Sequence, residues 1–425
     1  MEPVLPPTEG RFESTAIALH REATALAGSA HPTTRAALAK LLRVVNSFYS
    51  NLIEGIRTTP SEIQAALRAN YSHDPGRAAL QRLAVAHIDV EEGITQALAN
   101  DPALEVTSPD FIRKLHRDLY AKVPDSERIV RSPAGRETIV VPGEFRTEDV
   151  TVGHHLAPPF ASVPAFLNRF YEAYRSRAHN EVRQVVAFAA SHHRLTWIHP
   201  FLDGNGRVTR LMTTAYARRI ELDGGGLWSL ARGFARYQSE YYAALAAADG
   251  ERRTASDGRG ALSLAALEEW IAFVVRTALD QISYMRTLLV PETLADRLRA
   301  YAAFMAVGGS SVGAQTGPWR AEAGDLLGDL VSRGSLPRAK ALRYLPGKER
   351  TARGTLSTLL SDGILEADHH RGPVRLAFPP QIAQIVFPDL MTAPVRSEVS
   401  TPATAPDAAA ARGVIPARST RQPRP

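Results

Sequence analysis

The chain has 425 residues, 44% of them hydrophobic, a formal net charge of +6 and no cysteine. This length allows two or three domains with sizeable cores. Without cysteine there are no disulfides, thiolate nucleophiles or cysteine-ligated metal centres, so histidines, carboxylates and hydroxyls are left for chemistry. The start, MEPVLPPTEG, lacks the basic and apolar regions of an export signal, and the sequence has no apolar run long enough to span a membrane. We therefore expect a cytoplasmic protein without a membrane span.

The positive charge is concentrated near the C-terminus. Residues 335–380 contain eight Lys and Arg against four Asp and Glu, and residues 391–425 contain five Arg against two acidic residues. The rest of the chain is close to neutral. Affinity for a polyanion is therefore expected only in the C-terminal part, and an anionic ligand elsewhere must be bound through local geometry.

Two helix signals follow each other in the N-terminal part. Apolar residues between Arg35 and Glu54 recur at spacings of three and four, which predicts an amphipathic helix that Gly55 ends. Residues 59–62, TPSE, then supply an N-cap, a proline at the first helical position and a capping-box glutamate, so a second helix is predicted. At the end of the first helix, the Glu54 carboxylate meets the negative end of the helix dipole and requires a positively charged partner.

The most informative segment is HPFLDGNGRVTR, residues 199–210. Gly204 and Gly206 flank Asn205 and allow a tight backbone turn, and the apolar spacing after Arg207 indicates that the turn opens a helix. The first N–H groups of a helix have no internal partner and lie at the positive end of its dipole. The turn therefore predicts an anion site, with phosphate as its natural ligand.

The side chains around this turn suit a nucleotide phosphate. Arg207 and Arg210 are three residues apart, so both guanidiniums can reach phosphate oxygens on one side of the helix. His199 precedes the turn, and an imidazole with a pKa near ~6.5 can take a proton from an attacking hydroxyl at neutral pH. Asp203 offers a hard oxygen ligand of the kind that Mg²⁺ prefers.

Residues 199–210 resemble the Fic family signature H-x-F-x-(D/E)-G-N-G-R-x-x-R at every specified position. Fic proteins mostly transfer AMP from ATP to a hydroxyl side chain of a target protein. The resemblance implies a protein adenylyltransferase that uses ATP and Mg²⁺, with His199 as general base and Asp203 as metal ligand. Relatives with the same motif transfer UMP, GMP or phosphocholine, so the donor is inferred from frequency. The residues expected at the phosphates are Gly204, Asn205, Gly206, Arg207 and, at the γ phosphate, Arg210.

Residues 50–55, SNLIEG, resemble the inhibitory motif (S/T)-x-x-x-E-(G/N) of many Fic proteins, with Ser50 and Glu54 at its specified positions. The resemblance implies that Glu54 pairs with Arg210, occupies the γ-phosphate position and keeps ATP out of its productive pose. Two alternatives stay open. Glu54 could orient a water molecule that removes AMP from modified targets, or it could be a solvated residue at a helix end.

Other segments resemble the Fic core between about residues 108 and 220 and just beyond it. Residues 142–159 look like the family's β-hairpin flap, whose exposed edge could pair with a target peptide, although a hairpin without a ligand is the alternative. Tyr241 and Tyr242 lie where Fic proteins place aromatic rings near adenine, but tyrosines at helical spacing are often core residues. His192 and His193 are adjacent on a helix, where structural hydrogen bonding is expected in place of metal binding.

The C-terminal part predicts helix, turn, helix and a short hairpin between residues 335 and 378, the pattern of a winged helix-turn-helix. Arg350 and Arg353 would lie on its recognition helix, and Arg371 and Arg375 in its wing, where they suit phosphate contacts. Such modules also serve protein contacts alone. A competing hypothesis is therefore a DNA-binding regulator whose Fic-like part senses nucleotide or has lost catalysis.

The predicted fold is all-α: a Fic-type helical bundle with a β-hairpin flap, followed by the winged helix-turn-helix module. The implied partners are ATP and a target protein with an acceptor hydroxyl, while DNA and a second copy of the chain stay open. The predicted regions are an N-terminal helical region with the inhibitory helix (1–100), the catalytic core (101–295), a linker (296–325), the winged helix-turn-helix (326–385) and a disordered tail (386–425).

Overall fold

The structure is a computed structural model that describes residues 1–131, 137–153, 155–309 and 319–392. Helices dominate these ranges, which confirms the predicted helical class. The helices are α1 Glu13–Ala27, α2 Pro32–Ile53, α3 Pro60–Leu67, α4 Pro75–Asn100, α5 Pro109–Tyr120, α6 Val163–Tyr174, α7 Glu181–Ile198, α8 Asn205–Arg219, α9 Leu230–Arg236, α10 Gln238–Ala248, α11 Leu264–Leu288, α12 Pro291–Ala306, α13 Ala323–Arg333, α14 Arg338–Ala341, α15 Glu349–Ser361 and α16 Pro380–Val386.

The strands are short and pair locally. The first two pairs are antiparallel hairpins, and the last three strands form an antiparallel sheet in the order β5-β7-β6. None of the helices in the described ranges is long and apolar enough to cross a membrane. The strands are β1 Ile129–Arg131, β2 Glu137–Ile139, β3 Thr151–Val152, β4 His155–Leu156, β5 Ser335–Leu336, β6 Leu365–Glu366 and β7 Val374–Leu376.

The N-terminal helices begin and end where local chemistry dictates. α2 ends at Ile53, Glu54 is its C-cap, and Gly55 follows with a φ of +76°, a conformation that favours glycine. At the start of α3, the Thr59 hydroxyl accepts a hydrogen bond from the backbone N–H of Glu62, whose carboxylate accepts one from the Thr59 N–H. This capping box confirms the predicted second helix and fixes the chain directly after Glu54.

α2 is a central helix, because 15 of its 22 residues are buried. It packs against α4, α8 and α9 on one side and against α13, β7 and α16 on the other. The Tyr49 hydroxyl donates to the Thr392 carbonyl at 2.9 Å, and the Thr34 hydroxyl donates to the Val331 carbonyl at 3.1 Å. The helix that ends at Glu54 is therefore held both by helices between residues 75 and 236 and by residues 323–392, which we call the C-terminal unit.

The predicted linker and tail need correction. α12 runs to Ala306, so residues 296–306 are helical; their apolar side chains Leu298, Tyr301 and Met305 are buried and α12 packs on α13. Residues 310–318 of the predicted linker and residues 393–425 of the predicted tail lie outside the described residues. The predicted disorder is wrong at the start of that tail, because three of its apolar residues are buried: Phe387, Leu390 and Met391.

Candidate active site

The centre of the site is the turn between α7 and α8. α7 ends at Ile198, and His199 adopts a left-handed conformation with a φ of +50° that turns the chain out of the helix. Gly204 has a φ of +77° and precedes the first residue of α8, and a Cβ on it would lie 2.8 Å from the Tyr120 ring. Glycine is thus required here by both conformation and space. The predicted helix start is present at Asn205, where the first N–H groups of the helix have no intrahelical partner.

Asn205 holds the turn closed. Its Oδ1 accepts from the Phe201 N–H at 2.9 Å, and its Nδ2 donates to the Phe201 carbonyl at 2.8 Å. The side chain is buried, with 3% exposed. Because both of its polar groups are satisfied within the loop, the Asn205 side chain shapes the turn, and a phosphate contact from this residue falls to its backbone N–H.

His199 is poised as a neutral base. Its Nδ1 lies 3.3 Å from the Thr196 carbonyl oxygen, which can only accept, so Nδ1 carries the proton and Nε2 is the basic nitrogen. Burial lowers the pKa of His199 to about 4, and the nearby His155 and Arg146 act in the same direction. Arg146 also donates from Nε to the His199 carbonyl at 2.8 Å. At neutral pH the imidazole is therefore uncharged and can accept a proton.

Asp203, Tyr120 and Arg207 form a compact cluster beside the turn. The Tyr120 hydroxyl donates to Asp203 Oδ2 at 2.6 Å and accepts from Arg207 Nη2 at 2.9 Å. Arg207 Nη2 also lies 3.2 Å from Asp203 Oδ2. The Asp203 side chain is 34% exposed, whereas that of Arg207 is 5% exposed. Asp203 is thus the member of the cluster that solvent and a metal ion can reach.

Arg207 carries the strongest sign of an anion site. Its Nε and Nη1 are buried and have no hydrogen-bond partner among the residues that the structure describes. A buried guanidinium with unpaired N–H groups is costly unless an acceptor arrives. Burial lowers the pKa of Arg207, but the nearby Tyr120, Asp203 and Glu54 together raise it above its usual value, so Arg207 remains charged. These groups fit a phosphate oxygen, and Asp203 alone fits Mg²⁺, which takes few protein ligands when phosphates supply the rest.

Arg210 is already paired. Its Nη2 donates to Glu54 Oε1 at 2.6 Å and to the Ser50 carbonyl at 3.0 Å, and its Nε donates to the Ser50 hydroxyl at 2.9 Å. A Cβ built on Gly206 would overlap Glu54 Oε1, so the carboxylate lies directly on the first turn of α8. The Glu54 carboxylate therefore occupies the anion position at the N-terminus of α8.

The two predicted adenine contacts differ. Tyr241 is 3% exposed, its ring stacks on Phe234 at 4.5 Å, and its hydroxyl lies 3.1 Å from His192 Nε2, so it is a core residue without a free face. Tyr242 is 46% exposed, and its hydroxyl donates to the Ile53 carbonyl at 2.7 Å. Tyr242 thus contacts the end of α2, directly before Glu54. An adenine contact stays a prediction for Tyr242 only.

His192 and His193 make structural hydrogen bonds. His192 Nδ1 lies 2.8 Å from the Thr213 hydroxyl, and His193 Nε2 lies 3.0 Å from Asp249 Oδ1. Over the described ranges, no group of three or more His, Asp and Glu side chains is arranged to hold a metal ion. The two histidines therefore support α7 from within the core.

Three residues that contact the motif loop were missed in the sequence. Tyr120 and His116 lie four residues apart on α5 and face the motif loop; the Gly143 N–H donates to His116 Nδ1 at 2.8 Å, and His116 Nε2 lies 3.3 Å from the Asp203 carbonyl. Arg146 ties the motif loop to residues near the β3–β4 hairpin, donating to the carbonyls of Glu148 and Pro158. The i,i+4 spacing of polar rings on α5 was the available signal.

Residues 106–217 match the sequence profile of the Fic/DOC family. Relatives named protein adenylyltransferase Fic are similar over the same region: that of Drosophila mojavensis is 30% identical over 32% of this chain and 26% of its own length, and that of Nematostella vectensis is 29% identical over 40% of this chain and 36% of its own length. The chain thus spans only about a quarter to a third of these curated relatives.

A solved structure supports the fold over more of the chain. The crystal structure of a Fic family protein from Desulfovibrio desulfuricans aligns with 89% of this chain and 98% of its own, with a TM-score of 0.50 and 16% sequence identity. At this identity the likeness concerns the fold alone.

Proposed function

From the premise that residues 106–217 form a Fic domain, we propose that this protein transfers AMP from ATP to a Ser, Thr or Tyr hydroxyl of a target protein, under the control of Glu54. The observation that supports this most is the meeting of two features at one turn. His199 presents a neutral basic nitrogen, and Arg207 presents two unpaired buried N–H groups beside the N-terminus of α8. Proton acceptance and phosphate binding are the two functions that the transfer requires.

The reaction follows from these positions. His199 Nε2 takes the proton of the target hydroxyl as its oxygen attacks the α phosphorus of ATP, a new P–O bond forms, and the bond to pyrophosphate breaks. The α8 N–H groups and Arg207 stabilise the negative charge on the phosphate oxygens. Asp203 would hold Mg²⁺, which neutralises phosphate charge when bound.

Glu54 is proposed to inhibit this reaction. Its carboxylate lies on the first turn of α8 and pairs with Arg210, so the γ phosphate of ATP would have to displace it. Two negative groups cannot share one arginine and one helix N-terminus without repulsion. The Glu54 side chain is 34% exposed, and a role in orienting water for AMP removal is the alternative function of the same carboxylate.

We assign the flap to the β3–β4 hairpin, which lies beside the end of α7. His155 Nε2 is 2.8 Å from the Trp197 carbonyl, so the hairpin is anchored next to His199. Leu156 is 71% exposed at the hairpin edge. An extended target segment that pairs with this edge would bring its hydroxyl to the base.

A second activity is favoured by the surface of the C-terminal unit, which we interpret as a winged helix. Arg350 and Arg353 are exposed on α15, and the space beside Gly354 on the same helix is open. Arg375 is unsuited to the predicted phosphate contact because Glu366 and Asp368 already pair with it. Arg353 also pairs with a carboxylate, that of Glu349. DNA binding would therefore depend mainly on Arg350 and Arg371.

The test is the transfer of label from α-phosphate-labelled ATP to protein with Mg²⁺, in a Glu54→Gly background that relieves inhibition. His199→Ala should lower the transfer by about 10²–10⁴-fold, the usual share of a general base. The exposed His73 offers a matched control, and His73→Ala should leave the transfer unchanged. Undiminished transfer in His199→Ala would contradict the proposal, and salt-sensitive DNA retention without any transfer would favour the regulator.

A further inference from the structure

The Asp203, Tyr120 and Arg207 cluster contains one side chain to which the reaction above gives no role. We propose that Tyr120 is a positioning residue that sets the affinity of this site for Mg²⁺ by orienting the Asp203 carboxylate. The inference rests on the proposed function, because it concerns the metal ligand of that same site.

The Tyr120 hydroxyl is held in one place. Tyr120 is the last residue of α5 and is 2% exposed. Its ring packs against Gly204, where an added Cβ would lie 2.8 Å away. The His116 ring packs on it at 4.8 Å between centroids, and the Arg207 guanidinium lies 5.6 Å from its centroid. With the ring fixed on these sides, the hydroxyl cannot follow a carboxylate that rotates. It instead defines the orientation that the carboxylate takes.

The hydroxyl acts on both charged neighbours at once. It donates to Asp203 Oδ2 at 2.6 Å and accepts from Arg207 Nη2 at 2.9 Å. The donated bond fixes the plane of the carboxylate that faces solvent. The accepted bond holds Nη2 of Arg207 inside the cluster, while Nε and Nη1 stay available to a phosphate. One hydroxyl therefore aligns the metal ligand with the phosphate ligand.

Loss of the hydroxyl has a predictable direction. Arg207 Nη2 already forms an ion pair with Asp203 Oδ2 at 3.2 Å, and without the phenol hydroxyl that binds both groups this pair would tighten. That pair would compete with a cation for the carboxylate. Outer hydrogen-bond partners of metal ligands typically change metal affinity by about 10–100-fold. We expect Tyr120→Phe to fall at the lower end, since the ring and the arginine remain.

The experiment measures ATP binding and not transfer. In the Glu54→Gly background, a non-transferable ATP analogue is titrated at increasing Mg²⁺, and its affinity is also measured in EDTA. For Tyr120→Phe the half-saturating Mg²⁺ concentration should rise about tenfold, with a much smaller change in EDTA. In an Asp203→Asn background, Tyr120→Phe should produce no further rise, because the carboxylate that it orients is gone.

Tyr216 supplies the matched control. It lies on α8, is fully buried, and donates its hydroxyl to the Tyr174 carbonyl at 2.9 Å, so Tyr216→Phe removes a comparable hydrogen bond away from Asp203. An unchanged Mg²⁺ requirement in Tyr120→Phe, or an equal rise in Tyr216→Phe, would overturn the inference alone. Failure of the Glu54→Gly chain to bind the analogue in any condition would overturn the proposed function and this inference with it.

Discussion

The anion site has two halves that differ in how they are occupied. Arg207 and Arg210 lie one turn apart on α8 and are almost equally buried, at 4% and 5% exposed. Arg207 hydrogen-bonds to Tyr120 and Asp203 and keeps two N–H groups without a partner in the described ranges, whereas Arg210 is bound by Ser50 and Glu54 of the α2 segment. One half is therefore prepared for an anion, and the other is filled by the protein's own carboxylate. Under the proposed function, control would act on one phosphate position without rebuilding the other.

The largest effect is expected from emptying the filled half. Glu54→Gly removes the carboxylate from Arg210 and from the first turn of α8. A hydrogen bond between charged groups contributes about 1.5–3 kcal/mol, which corresponds to roughly 10–100-fold in an equilibrium constant. AMP transfer at limiting ATP should therefore increase by about that factor, as measured with labelled ATP.

Glu54→Gln is the control for this prediction, because it keeps the volume and removes the charge. It should activate less than Glu54→Gly, since an amide oxygen can still accept from Arg210. Equal AMP transfer in the wild type and in both variants would contradict the proposal that the Glu54 carboxylate blocks the Arg210 half of the site. If a labelled target instead loses AMP faster with the wild type than with Glu54→Gly, Glu54 serves removal.

A smaller effect is expected at Ser50, whose hydroxyl and carbonyl both accept hydrogen bonds from Arg210 in the filled half of the site. Ser50→Ala deletes the acceptor of Arg210 Nε and leaves Glu54 and the Ser50 carbonyl to hold the arginine. AMP transfer should rise several-fold, and the loss of a hydrogen bond to a charged group should lower the free energy of unfolding by about 1.5–3 kcal/mol.

Ser47→Ala provides the comparison for Ser50→Ala on the same helix. Ser47 is as completely buried, and its hydroxyl donates to the Ala84 carbonyl at 2.8 Å, away from Arg210. The Ser47→Ala substitution should lower the free energy of unfolding by about 1 kcal/mol and should not raise AMP transfer. Parallel thermal unfolding and labelling assays separate the two effects. A similar rise in transfer for both variants would mean that general loosening of α2, and not the Arg210 contact, relieves inhibition.

The prepared half could be predicted from the sequence because its chemistry is local. The glycines, the helix start and the arginines of residues 199–210 are contiguous, so backbone geometry alone brings them together. The contact between Glu54 and Arg210 spans 156 residues and was accessible only through the resemblance to a family motif. Nothing in the α2 pattern itself identifies its partner.

Burial explains what the sequence could not provide. The side chains of Asn205 and Tyr241 suit either ligand binding or internal hydrogen bonds. Only the observed packing shows that both make internal hydrogen bonds. Tyr120 was overlooked for the same reason, since its function depends on how α5 lies across the motif loop. An amphipathic helix is expected to expose its polar side to solvent. In α2 that expectation is wrong, because the C-terminal unit and α4 pack against the helix.

The last prediction concerns stability in place of transfer and involves His87 on α4, which lies near both arginines. His87 is 3% exposed, and neither of its ring nitrogens has a hydrogen-bond partner in the described part of the chain. Burial, and then the charges of Arg210 and Arg207, lower the pKa of His87 to about 3. Because the unfolded chain binds the proton more readily, the stability that this histidine contributes is complete above its unfolded pKa of ~6.5 and is lost as the pH falls toward 3.

His87→Leu should remove this acid sensitivity. At pH 5, protonation stabilises the unfolded wild type by about 2 kcal/mol, because the buried histidine does not take up the proton. Between pH 7.5 and pH 5 the free energy of unfolding of the wild type should therefore fall by about 2 kcal/mol more than that of His87→Leu. Urea unfolding at the two pH values measures the change, with the exposed His73→Leu as control. A stability difference for His87→Leu that is the same at both pH values would show that His87 is not a neutral group behind the two arginines.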